Sequence, residues 1–436
     1  MELPGTQKIN GKSHLEIGGC DAVELAERFG TPLYVLDEAL IRQRCRDYLR
    51  EFRSRWPEVF IAFAGKAFMS TALCRLVEQE GLGLDVSSLG ELHTALTAEF
   101  PAEKLVVHGN NKSEEEIEAA LSAGAGWVVI DSLPEIELVG ECAQRLGRRQ
   151  KVLLRITPGV DTHTHDSIKT GDFDTKFGIL PIHAPQAVRQ ATAMPGLDLR
   201  GYHCHIGSQL FFLEHYRAAI EAMTRIAADI RAETEYAPQE LNLGGGLGIR
   251  YQWSDRPPTV ADLAEVICPA LAAECERYDL PKPLLMLEPG RSIVGDAGIT
   301  LYRVGVVKEI PGVRTYVAVD GGMSDNPRPA LYGARYEVIV ANKAEAEPTM
   351  VVTVAGKHCE TDTLIRDVKI PPVERGDILA VPSTGAYTYS MASNYNRLPK
   401  PAVVLVSEGQ ADLIVRRQTV EDLVAQDLIP ERLNRR

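Results

Sequence analysis

The sequence predicts an α/β fold: a (β/α)8 TIM barrel followed by a second, mainly antiparallel β-domain. Three observations carry this. Apolar strand-like runs alternate with amphipathic helical stretches between residues 59 and 288, there are eight such runs in roughly 250 residues, and beyond residue 300 the texture changes. In order, the expected barrel strands are 60–64, 82–86, 105–108, 127–130, 152–156, 201–205, 241–244 and 285–288. Helical periodicity fills 113–123, 133–146, 184–193, 213–234 and 260–278 between them, the last two as long amphipathic runs. After residue 300 come shorter runs rich in valine and threonine and punctuated by turns, at 300–308, 315–319, 336–341, 349–355, 378–381 and 402–408. With 436 residues the chain is too long for one ordinary core, so two domains are expected. No linker, repeat or low-complexity segment separates them, and the charged 431–436 tail reads as frayed.

Composition excludes several classes. Sixty acidic against 47 basic residues give a net charge of −13, which argues against a nucleic-acid partner. Residues 1–8 lack the apolar core of a signal peptide, and no run approaches the roughly 20 apolar residues that cross a bilayer, so the expected location is cytoplasmic, with no membrane contact. The eight cysteines are scattered without a C-x-x-C pair, so neither a zinc site nor a disulfide framework is indicated, and most read as small buried hydrophobes. His163 and His165 share one side of an extended segment, but two ligands without a third do not make a metal site.

Candidate chemistry gathers where the apolar runs stop. Lys66, in Ile61-Ala-Phe-Ala-Gly-Lys-Ala-Phe68, ends the first run; an amine at the mouth of an apolar pocket loses solvation, which favours the neutral nucleophile able to form a Schiff base with an aldehyde such as pyridoxal phosphate. Such a cofactor also needs a phosphate cradle, a partner for its pyridine nitrogen and a group on its ring face. The stretch Leu241-Asn-Leu-Gly244-Gly245-Gly246-Leu-Gly248 offers backbone amides unobstructed by side chains. In Leu284-Leu-Met-Leu-Glu288-Pro289-Gly290-Arg291 a carboxylate follows four apolar residues and should point into a pocket, where it would favour a protonated ring; a salt bridge to Arg291 is the plain alternative. His203-Cys-His205-Ile-Gly-Ser208-Gln209 offers an imidazole for the ring face and a hydroxyl for the phosphate. Asp85, His108 and Arg155 also fall at or close to strand ends, the end of a barrel that carries active sites.

Together these segments resemble the fold-type III pyridoxal phosphate decarboxylases, which include ornithine, arginine and diaminopimelate decarboxylases, the last being most similar. The resemblance runs from Thr31-Pro-Leu-Tyr-Val-Leu-Asp37 to Pro399-Lys-Pro-Ala-Val-Val-Leu-Val406. Its specific motifs are Asp85-Val-Ser-Ser-Leu-Gly-Glu91, His108-Gly-Asn-Asn-Lys112, Lys176-Phe-Gly178, Val319-Asp-Gly-Gly322, Arg328-Pro-Ala-Leu-Tyr-Gly333, Gly385-Ala-Tyr387 and Ser390-Met-Ala-Ser-Asn-Tyr395. It implies a barrel over 38–298 and a β-domain formed by 1–37 with 299–436, the latter carrying substrate and dimer-partner residues.

It also implies roles. Lys66 resembles the lysine that carries pyridoxal phosphate, Glu288 the pyridine-nitrogen partner, His205 the ring-stacking histidine, and Asp85 a carboxylate near the lysine. Ser208, Gly244, Gly245 and Gly246 resemble phosphate contacts, with Gly290, Arg291 and Tyr387 also at the cofactor. For the substrate, meso-diaminopimelate, Arg291 and Arg328 match carboxylate-binding arginines, where bidentate geometry favours arginine. Tyr332 and Tyr387 match substrate contacts, and Glu360 meets the distal ammonium. Cys359 matches the acid that protonates the reacting carbon, a thiol's ordinary pKa of about 8.5 leaving a transferable proton near neutrality. Cys359 and Glu360 are expected to enter from the second subunit of a homodimer. The reaction implied is decarboxylation at the D-configured centre to give L-lysine and carbon dioxide, the last step of lysine biosynthesis.

The chain departs from the family pattern in two places. It reads Cys359-Glu-Thr-Asp-Thr363 where a Cys-Glu-Ser-Gly/Ala-Asp run is usual, so the displaced aspartate should alter the charge beside the far end of the substrate; Gly65 replaces a bulkier residue. The first departure keeps a related decarboxylase acting on another amino acid as the alternative. A barrel-only cofactor-binding protein is disfavoured by residues 300–436, and a partner-binding pseudoenzyme by the presence of Lys66 and Cys359.

Overall fold

The structure is a computed structural model that describes residues 3–159 and 174–434; His163 and His165 lie outside the described residues. The chain divides into two compact units. One comprises Ile41–Arg250 with Ser254–Gly295, the other Met1–Leu40, Tyr251–Trp253 and Asp296–Arg436.

The first unit is a closed barrel of eight parallel strands. Around the ring they run Val59–Ala64, Gly83–Val86, Leu105–Val107, Trp127–Ile130, Gln150–Arg155, Leu197–His203, Glu240–Asn242 and Leu284–Leu287, the last pairing back with the first. All eight expected runs are therefore strands. The five expected helices form, as Glu114–Ala123, Leu133–Arg145, Ala184–Ala193, Glu214–Thr234 and Val260–Arg277. Ser113 with Glu116, and Thr259 with Asp262, close reciprocal hydrogen bonds at two of the helix starts and satisfy amides that have no intrahelical partner. Three further barrel helices, Glu38–Arg53, Thr71–Gln79 and Leu89–Thr97, complete the alternation. Glu38–Arg53 buries Ile41, Cys45, Tyr48 and Phe52, a narrow stripe at i, i+4, i+7 and i+11 on a mostly charged helix.

Inside the barrel Ala62, Val106, Trp127, Val129, Leu153 and Met286 pack together. At the N-terminal strand ends the Trp127 indole donates to Glu240 Oε2 at 2.6 Å, and Arg200 Nε donates to Glu240 Oε1 at 3.1 Å. Buried polar residues thus lie at both ends of the barrel, with the apolar core between them.

The second unit is built on a mixed, mainly antiparallel sheet. Its central strand Leu33–Asp37 pairs antiparallel with Gly298–Ile310 and parallel with Ala402–Ser407. Arg314–Val319 also runs parallel to Met350–Ala355. Beyond residue 300 two strands escaped the sequence reading: Gln410–Val415, and Thr363–Ile370, whose Asp367 has a positive φ of 52° and whose register slips against Met350–Ala355. Leu15, Ile17, Leu33, Val35, Ile299, Leu301, Ile378, Val404 and Val406 form the core. Among the described residues no helix is long and apolar enough to cross a membrane. Seven cysteines are buried and Cys359 is exposed.

Candidate active site

The C-terminal strand ends of the barrel bring together most of the residues singled out from sequence. Val59–Ala64 hands over to a single 3-10 turn, Gly65–Ala67, that carries Lys66. Asp85 is the penultimate residue of its strand, Arg155 and His203 are each the last of theirs, and His108 and Glu288 each follow one directly.

Glu288 is the hub. Its Oε1 accepts from Asn242 Nδ2 at 2.7 Å and from His108 Nε2 at 2.8 Å, and its Oε2 accepts from His203 Nε2 at 3.2 Å. The alternative salt bridge to Arg291 therefore does not claim this carboxylate. Burial alone would raise its pKa, but His108, by charge and hydrogen bond, and His203, by its hydrogen bond, outweigh burial and hold it well below the usual carboxylate range. His203 Nδ1 is buried without a hydrogen-bond partner, which suits a bare ring nitrogen rather than an N–H. His203 is thus neutral with its proton on Nε2, in line with burial pushing its pKa down to about 3. Asn242 is a residue the sequence reading missed. The signal was present: an amide at an inward position of a fully buried three-residue strand, Glu240–Asn242, needs a polar partner.

Lys66 is exposed, and its charge acts on Asp85 and His205. Burial pushes Asp85 up to about 6 against the pull of His108 and Lys66. His205 is driven well below its ordinary value by burial, with Lys66 and Arg155 adding to it. Arg155 lies over the Phe177 ring at 4.2 Å and sits 3.6 Å from Asp131.

The glycine loop is tied to the same residues. Gly244 N donates to Asn242 Oδ1 at 2.8 Å and Gly245 N to His205 Nδ1 at 3.3 Å. A Cβ on Gly244 (φ +67°) would fall 2.7 Å from His205 Nδ1, one on Gly245 2.3 Å from the Glu288 carbonyl oxygen, and one on Gly246 (φ +122°) 2.7 Å from the Gly207 carbonyl oxygen. No side chain fits there, so the loop presents backbone alone. Beside it Arg291 donates to Ser208 Oγ through Nη2 at 2.9 Å and Nε at 3.3 Å.

An amine, an ionised carboxylate and a bare glycine cradle form the donor set that an aldehyde-bearing, phosphorylated pyridine needs, so the residues fit pyridoxal phosphate. Comparison with known proteins agrees. The profile of the family described as "Pyridoxal-dependent decarboxylase, pyridoxal binding domain" matches residues 38–295. A diaminopimelate decarboxylase of Bacillus subtilis is 50% identical over 432 residues, covering 98% of each chain. This chain belongs to the pyridoxal-dependent decarboxylases. Another diaminopimelate decarboxylase, from Synechocystis, is 45% identical over 442 residues, covering 99% of this chain and 94% of the relative. The crystal structure of diaminopimelate decarboxylase from M. jannaschii in complex with L-lysine superposes with a TM-score of 0.92 at 38% identity, covering 99% of this chain and 100% of that one.

The remaining candidates of this decarboxylase lie in the β-domain unit. Arg328 is buried, donates to the Tyr336 hydroxyl at 2.6 Å and stacks over the Tyr251 ring at 4.6 Å. Tyr332 and Tyr387 are half-buried, Tyr387 with a φ of 58°. Cys359 and Glu360 are exposed on one turn. The displaced aspartate of that turn does not behave as expected. Asp362 is buried and directed into the turn, where it pairs with His358 Nδ1 at 2.6 Å and accepts from the Met323 amide at 2.7 Å. Its carboxylate is taken up by hydrogen bonds within the turn rather than offered to a substrate. Asp362 therefore braces the turn, and the alternative of another amino-acid substrate loses its main argument.

Proposed function

We propose that the protein decarboxylates meso-2,6-diaminopimelate at its D-configured centre to L-lysine and carbon dioxide, the last step of lysine biosynthesis, in the cytoplasm. The observation that carries this reading is Glu288, a carboxylate kept ionised and fixed by three donors at the barrel mouth that also holds Lys66, in a chain half identical to a diaminopimelate decarboxylase over nearly its whole length. Pyridoxal phosphate, when bound, supplies an electron sink for the pair left by the departing carboxyl group. Lys66 would hold its aldehyde carbon, Glu288 the proton on its pyridine nitrogen, and His205 its ring face. Ser208, Gly244, Gly245, Gly246, Gly290, Arg291 and Tyr387 would hold its phosphate end. Asp85, 4.0 Å from His108 Nε2, would set the charge beside Lys66.

The substrate's second amino-acid centre calls for further groups. Arg291 and Arg328 would take its carboxylate, Tyr332 and Tyr387 its polar edge, and Glu360 its ammonium, orienting the breaking bond as well as binding. Cys359 would deliver a proton to the reacting carbon. In this reading the barrel, residues 38–298, serves the cofactor. The β-domain, 1–37 with 299–436, serves the substrate and lends Cys359 and Glu360 to the partner of a homodimer. Reduction of the holoenzyme with borohydride followed by peptide mapping should find the cofactor's mass on the peptide containing Lys66. Its attachment to any other lysine would refute the assignment.

A further inference from the structure

The Ser390-Met-Ala-Ser-Asn-Tyr395 motif has no role in the account so far, yet its end lies against the turn that carries Cys359 and Glu360. The Tyr395 hydroxyl donates to Glu360 Oε1 at 2.7 Å. Its ring stacks on the His358 imidazole, centroid to centroid 5.9 Å with an interplanar angle of 10°. The next residue, Asn396, accepts from the Cys359 amide through Oδ1 at 2.8 Å.

Beneath Tyr395 the base is rigid. The His358 side chain is fully buried and Asp362 Oδ2 receives both its Nδ1, at 2.6 Å, and its backbone amide, at 3.1 Å. Asp362 Oδ1 accepts from the Met323 amide, and a Cβ on Gly356 or Gly322 would fall 1.9 or 2.2 Å from Asp362 Oδ2, so the carboxylate fills its niche. Glu360 differs. It is exposed, it has three side-chain torsions, and the hydrogen bond from Tyr395 is what fixes its carboxylate. With Oε1 engaged by the phenol, Oε2 is left for a cation. The bond to Glu360 also raises the Tyr395 pKa, keeping the phenol a donor.

We infer that Tyr395 is a specificity-determining residue: seated on the His358–Asp362 pair, it aims Glu360 at the distal ammonium of an α-amino-acid terminus. This rests on the assignment of Glu360 to that ammonium under the proposed function. Because decarboxylation at one centre leaves the other intact, L-lysine keeps the same ammonium, and substrate and product should respond alike. D-2-aminopimelate, which has the distal carboxylate but no distal amine, should not respond to Tyr395.

The test compares Tyr395→Phe, Glu360→Gln and the double variant as holoenzymes, with KM and kcat for meso-diaminopimelate and D-2-aminopimelate and calorimetric affinity for L-lysine. Phenylalanine keeps the ring on His358, so the melting temperature should hold. Tyr395→Phe should raise KM for meso-diaminopimelate about tenfold with little change in kcat, and weaken L-lysine similarly. Glu360→Gln should do so more strongly, the double variant no further, and D-2-aminopimelate should be insensitive to Tyr395→Phe. If Glu360→Gln changes neither KM nor lysine affinity, the Glu360 assignment fails and this inference with it. If Glu360→Gln weakens both and Tyr395→Phe weakens neither, or if Tyr395→Phe weakens D-2-aminopimelate equally, the inference alone is overturned.

Discussion

At the barrel rim, Glu288 is buried and its two oxygens are claimed by Asn242, His108 and His203, whereas on the β-domain turn Cys359 and Glu360 are exposed and the Glu360 carboxylate is held by a single hydrogen bond from Tyr395. The difference suits what the proposed function asks of each. A group that faces a bound cofactor permanently gains from being set by strand ends and by mutual hydrogen bonds, since reorganisation would add to the barrier. Groups that meet a transient substrate must stay reachable, so rigidity is supplied one layer back, by the His358–Asp362 pair.

Substitutions at the two places should accordingly differ in kind. Replacing the rim carboxylate, Glu288→Gln, removes the charge proposed to face the pyridine nitrogen; kcat should fall by about 10²–10³-fold while borohydride still fixes the cofactor to Lys66. Cys359→Ala should lower kcat by about 10²-fold, the lower range for a lost general acid, and leave the melting temperature unchanged because the thiol is exposed. A drop in melting temperature there would blur the contrast between functional tip and structural base. Asp362→Ala, by comparison, strands the His358 ring and two amides and should destabilise the protein by about 2–3 kcal/mol in urea melts.

The smallest effect concerns pH. His203 is depressed in the folded state to about 3, against an ordinary value near 6.5, so the unfolded chain binds one more proton throughout that window. Stability should therefore fall as pH drops below about 6.5. In His203→Gln, which keeps a donor for Glu288 but does not titrate, the fall should be shallower by about 1.4 kcal/mol per pH unit. An unchanged slope would mean that His203 is not held neutral.

Much of the rim was legible because strand ends announce themselves: an apolar run that stops at Lys66, Asp85, His108 or Glu288 fixes both place and direction. Asn242 was not, since an amide inside a Leu-Asn-Leu-Gly run has no local partner; its partner Glu288 comes from the next strand in the barrel. The turn was harder still. Asp362 carries a positive φ of 41° and folds back on His358 four residues earlier, and nothing in residue order says that its carboxylate faces inward. Of the missed elements, the helix Glu38–Arg53 hid its four-residue apolar stripe among charges, and the strand Thr363–Ile370 lost its alternation to register slips.

The most direct test is the fate of the three diaminopimelate stereoisomers offered separately to the holoenzyme, read by mass and chiral analysis of the products. L-lysine and carbon dioxide from the meso form alone is the predicted result. Equal turnover of the LL form, or preference for a simple diamino acid such as ornithine, would contradict the account.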